Sequence, residues 1–155
     1  MQNDFSADAR KVKTPKIELP YELQKLQQVF QFDAEEFDGD IDEIRNEISN
    51  KLFDFTERVI EPLVWSHHHS HVIEQEMLSP VEGKELFELY KQIQAFRWRN
   101  NILSIKSNNI ETNKWIRDLW SFWQDFEKKT TKIFEKFASG WETLKFKKEN
   151  VEYNG

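Results

Sequence analysis

The chain has no cysteine, and that absence removes disulfides, thiolate zinc sites, cysteine-held iron–sulfur clusters and cysteine nucleophiles together. Glycine and proline are scarce, four of each in 155 residues, whereas an all-β fold would need turn residues at every hairpin. Few turns mean long elements. No window approaches 18 uninterrupted apolar residues, and the opening stretch MQNDFSADARKVKTPK has no apolar run of signal-peptide length. The expectation is a cytoplasmic protein that neither crosses a membrane nor is exported. Gly-rich phosphate loops, Walker-type lysine motifs and Ser/His/Asp ordering signatures are missing too, so no catalytic activity is inferred.

What the chain does have is rings. Six Trp and thirteen Phe contribute to a 14% aromatic content, while Ala is rare, so the core has to be assembled from bulky side chains. At this length one domain can bury roughly 68–70% of its unfolded surface without staples. The net charge of −6 conceals an asymmetry: residues 1–83 carry 18 acids against 8 Lys/Arg, and residues 84–155 carry 10 against 14. An acidic half and a basic half attract each other on folding, and either can attract a partner.

Hydrophobic spacing predicts an all-α fold: a bundle of four to five long amphipathic helices of the antiparallel up-down type. Residues 1–18 lack periodicity and read as a flexible N-terminal arm, 19–147 as one helical-bundle domain, and 148–155 as a frayed C-terminus. Pro20 suits a first helical turn and opens helix 1 over about 20–32. Asp33 to Asp42 is an acidic turn. Ile41, Ile44, Ile48, Leu52, Phe55 and Val59 then mark one stripe of a second helix. Pro62 falls inside that pattern, where it deletes a donor and clashes one turn back, so the helix is expected to kink or restart there and continue to about 78. Ser79-Pro80-Val81-Glu82 is a capping-box start for a helix reaching about 105, striped by Leu86, Leu89, Ile93, Phe96, Asn100 and Leu103. The last helix carries Ile116, Leu119, Trp123, Phe126, Thr130, Ile133, Phe137, Trp141 and Leu144 at near-heptad spacing. Trp115, Trp120, Phe122 and Phe134 widen that face enough to meet more than one helix, and Gly140 is a candidate break.

Three clusters could carry chemistry. Within Ser66-His67-His68-His69-Ser70-His71, a helix would place His67, His71 and Glu74 on one face at i, i+4 and i+7, a donor set suited to zinc, iron or manganese. One helix supplies at most three ligands, and the Glu-x-x-His pairs of di-iron bundles are absent. Arg97, Trp98 and Arg99, with Lys106 beyond, interleave cations with an aromatic as phosphate- and base-binding surfaces do, although a pI near 5.3 is far from the balance of nucleic-acid binders. Asp38-Gly39-Asp40-Ile41-Asp42 begins like a calcium loop but has Glu43 where the loop needs Gly and Ser49 where it needs Glu, which leaves a helix cap as its reading. The carboxylate pairs Glu35/Glu36, Glu43/Glu47 and Glu57/Glu61 lack the second-helix motif of an all-α magnesium site. Asn100, polar within an apolar stripe, is of the kind that fixes register or oligomeric state.

The reading that best fits the whole is a protein–protein interaction or self-assembly module, with Trp115, Trp120 and Trp123 as interface anchors. The first alternative is a metal-binding helical-bundle enzyme or sensor using the face of His67, His71 and Glu74. The second is nucleic-acid binding through Arg97, Trp98, Arg99 and Lys106.

Overall fold

A computed structural model describes residues 19–65 and 69–145. The expected arm over 1–18, the tail over 148–155 and His67 all lie outside the described residues.

Helix α1, Tyr21–Phe30, follows Pro20 directly and buries Leu23, Leu26 and Phe30. It ends at Gln31, whose left-handed φ of 51° turns its amide back to the Gln27 carbonyl. The acidic stretch is a turn, as its composition predicts. Asp33 caps one 3-10 turn, Ala34–Phe37, and the chain then reverses through Asp38 and Gly39 at φ 48° and 77°. Asp40 closes the reversal by accepting the amides of Asp42 and Glu43 at 2.9 and 3.2 Å. The residues that began like an ion loop are therefore the N-cap of helix α2, Ile41–Phe55, a device worth about 1 kcal/mol.

Beyond α2 the helix does not break at Pro62. It passes through a π-helical turn, Thr56–Ile60, into a last short helix α3, Glu61–Val64, and stops at Trp65. The amide of Glu61 reaches back five residues to the carbonyl of Thr56, and the Thr56 hydroxyl bonds the Leu52 carbonyl at 2.7 Å. Loosening the turn just ahead of the proline is how the helix carries a residue that cannot donate. The wider turn also moves the buried stripe by one residue. Thr56 and Ile60 are buried where the spacing predicts Phe55 and Val59, which are only half-buried. The second segment is helix α4, His69–Met77, separate from α3 rather than continuous from residue 62.

Helix α5, Pro80–Ile105, starts on the predicted capping box, with both reciprocal bonds between Ser79 and Glu82 formed. Helix α6, Asn109–Thr143, is capped by the Asn108 side chain on two amides and runs through Gly140 without a break. A Cβ on Gly140 would lie 2.5 Å from the Met77 sulfur, so the missing side chain lets the end of α4 lie close on α6.

Helix α6 is the central post, packing against α1, α2, α4 and α5. Antiparallel α2 and α5 are fixed by Arg45 on Ser104 near one end and by Arg97 on Glu57 just past the end of α2. Antiparallel α5 and α6 are fixed by Arg99 on Asp118 and Glu82 on Lys136. The core between them is a continuous apolar cluster from all five helices other than α4, dense with tilted and edge-on ring pairs such as Phe96 with Trp115 and Phe122 with Phe126. No strand is present among the described residues, and no helix among them is long and apolar enough to cross a membrane.

Candidate functional site

The start of α2, the end of α5 and the start of α6 meet over a polar cluster. Its centre is Arg45, 1% exposed although it sits one residue from the apolar stripe. Its guanidinium donates to Asp42 at 2.9 Å, Thr112 at 3.3 Å, Asn46 at 3.1 Å and Ser104 at 3.4 Å. Asp42 is the acceptor hub: Thr112 donates to it at 2.9 Å, and the Ser107 hydroxyl donates to its other oxygen. The Ser107 bond is the main reason its carboxyl stays below the ordinary aspartate range; burial opposes this, and Thr112 and Arg45 reinforce it. Burial pulls the Arg45 guanidinium down from its ordinary value, with Asp42 and Asp40 opposing. Burying this cation is tolerable only because it is paired and hydrogen-bonded on several sides. The cluster ties the α5–α6 turn, residues 106–108, to the first turn of α2.

One layer deeper, the antiparallel register that sets Arg45 on Ser104 brings Ser49 level with Asn100. Both are buried, and both carry a side-chain oxygen without a protein partner, as does the Nε of Arg45. The polar position in the α5 stripe therefore belongs to a polar layer between α2 and α5.

Outside this clamp, α5 has a second apolar face. Its inner stripe, Leu86 to Leu103, is buried; on the opposite side Trp98, Ile102 and Ile105 follow at i, i+4 and i+7 and are 66%, 58% and 84% exposed. Ile110, in the first turn of α6, is 77% exposed. Four large apolar side chains thus stand in solvent near a turn that Ser107 ties to the Asp42–Arg45 cluster. Single exposed hydrophobics are ordinary on a protein surface, but a row at helical spacing is not.

The tryptophans expected to anchor an interface sit elsewhere. Trp115 is fully buried, donates its Nε1 to the Phe96 carbonyl at 3.1 Å and meets the Phe96 ring edge-on. Its role as a surface anchor is corrected to a core role: α6 packs against four helices, so its widened apolar face is consumed inside the bundle. Trp123 is half-buried, with its ring 4.9 Å from Phe30 and 5.0 Å from Phe126, and Trp120 is half-buried against the same core. The exposed row is within reach of sequence reasoning, since Trp98, Ile102 and Ile105 repeat the 4, 3 spacing of a helix face; the inner stripe of the same helix masks it.

Glu74 is engaged by protein on both oxygens, by His71 Nδ1 at 3.0 Å and by the indole of Trp141 at 3.1 Å. That makes it a clasp between α4 and α6. No group of three or more His, Asp or Glu able to hold a metal occurs among the described residues. Of the cationic trio, Arg97 pairs with Glu57 at 3.5 Å over the Phe53 ring, and Arg99 with Asp118 at 2.8 Å over Phe96. Trp98 between them points to solvent, and Lys106 is exposed at the turn. An open cleft of about 350 Å³ beside Trp65 and Phe87 lies toward the other end of α5 and is lined largely by apolar groups.

Against this geometry, comparison with protein-family models, curated proteins and solved structures finds no match to the chain.

Proposed function

We propose that the protein is an interaction or assembly module whose docking surface is the outer face of the α5–α6 hairpin, around Trp98, Ile102, Ile105 and Ile110. The observation that carries this reading is that the C-terminal end of α5, from Trp98 to Ile105, is apolar on two opposite faces, one consumed by the core and one in water. Leaving four large apolar side chains exposed forgoes roughly 1.5–3 kcal/mol of burial for each, which a partner would recover. The turn is also tied to α2 through Ser107 on Asp42 and closed by the Asn108 cap, which lowers the ordering entropy that opposes docking.

A photo-crosslinking residue placed at Ile105 in the native host tests the proposal. The expected result is a discrete covalent adduct, to a partner or to a second copy, and none when the same residue replaces exposed Lys128 on α6. Absence of an adduct from both positions would refute it.

A further inference from the structure

The hairpin that displays the apolar row also carries the chain's surplus of positive charge. Residues 97–118 hold five cations, Arg97, Arg99, Lys106, Lys114 and Arg117, against two acids, Glu111 and Asp118, a net of +3. That is most of the surplus of +4 carried by residues 84–155. Arg97 and Arg99 are committed to Glu57 and Asp118, whereas Lys106, Lys114 and Arg117 have no ion pair among the described residues and are exposed.

Two of these charges share one helix face. On α6, Ile110, Lys114 and Arg117 follow at i, i+4 and i+7, on the side opposite the buried Thr112, Trp115, Ile116 and Leu119. On α5, Trp98, Ile102 and Ile105 occupy the side opposite its own buried stripe. The two helices lie side by side and antiparallel, and the Arg99–Asp118 pair sets their register, which brings Lys114 level with Ile102. An apolar row on one helix thus runs beside a basic row on the next, the two joined at Ile110.

Resting on the docking surface proposed above, we infer that its occupant is an acidic amphipathic helix, laid along this face with its apolar stripe on α5 and its carboxylates over Lys114 and Arg117. A helix in a groove uses anchors at this spacing, and charge flanking the stripe sets its orientation and speeds its capture. Three of the four apolar side chains weigh against a nucleic acid, because Ile102, Ile105 and Ile110 neither stack on bases nor contact phosphate, which leaves Trp98 as the row's one stacking surface. A second copy is disfavoured by the same basic row, which a symmetric pairing would set against itself or leave without a counter-charge.

The test is selection of a phage-displayed library of 18-residue helices on the full chain. The library fixes a leucine stripe and varies the flanking positions among Glu, Gln and Lys. The inference predicts Glu enriched along one flank, binding abolished by Ile102→Asp, and affinity at least tenfold lower for the Lys114→Glu/Arg117→Glu chain, restored by Lys-flanked helices. Ile102-dependent binders with neutral or Lys flanks would overturn the acidic partner and leave the docking face standing. Failure to select any Ile102-dependent binder would remove the face itself. Mixed-sequence single-stranded RNA binding that is lost in Lys114→Glu/Arg117→Glu but kept in Ile102→Asp would also overturn the inference. So would a dimer in sedimentation that dissociates on Ile102→Asp.

Discussion

Asp42 caps nothing, yet it joins two helices and a turn: it takes hydrogen bonds from Arg45 on its own helix, from Thr112 on α6 and from Ser107 in the turn between α5 and α6. Its loss and that of its partner are therefore unequal. Asp42→Ala strands a buried guanidinium and should destabilise the fold by about 3 kcal/mol in urea unfolding. Arg45→Met leaves Asp42 one quarter exposed, still served by two hydroxyls, and should cost clearly less; equal losses would contradict this role for the cluster. Glu82 makes the second residue-scale prediction. The Lys136 ammonium first, and then the Ser79 amide and hydroxyl, hold its carboxyl at about 2 against an ordinary 4.5. A lowered folded pKa means that the stabilisation is complete above about 4.5 and is lost as pH falls toward 2. Glu82→Gln should flatten that limb of the stability curve, and an unchanged acid limb would show that the pair contributes nothing.

On the scale of elements, α5 makes neighbouring residues behave oppositely. Leu103→Ala opens a hole in the core and should cost about 2–3 kcal/mol, while Ile102→Ala, one residue away, should stay within about 0.5 kcal/mol in the same unfolding assay. Gly83 sits within α5, and a methyl group at its Cβ position would meet nothing within 4 Å, so Gly83→Ala should raise stability by about 0.5–1 kcal/mol. Most of this architecture is legible in the sequence, for reasons that are local. The Ser79 box, the stripe of α6 and the acidic turn before α2 each announce themselves through spacing or cap chemistry. What escapes is set by tertiary contact. The π turn before Pro62 depends on Thr56 bonding back to Leu52, and the burial of Arg45 depends on hydroxyls 59 and 67 residues away. Trp115 reads as a surface anchor because periodicity gives the direction of a side chain but not what waits there. Trp98, Ile102 and Ile105 are legible as a second face, though only once the inner stripe is assigned to the core.

At the scale of the whole molecule, the charge asymmetry has two uses. Part of it is neutralised within the fold, where Arg97 meets Glu57 and Lys136 meets Glu82, cations from the basic half on acids of the other. The rest remains on the α5–α6 hairpin, beside the exposed apolar row. The chain's lack of cysteine makes the central claim directly measurable, because a single introduced thiol is the only one to label. Ile102→Cys and, as a reference, Lys128→Cys should both react quickly with a maleimide in the purified protein. In intact cells of the native host, a docked partner should protect Cys at 102 at least tenfold while Cys at 128 keeps its rate. Equal labelling of both positions in cells and in solution would mean that nothing docks on this face.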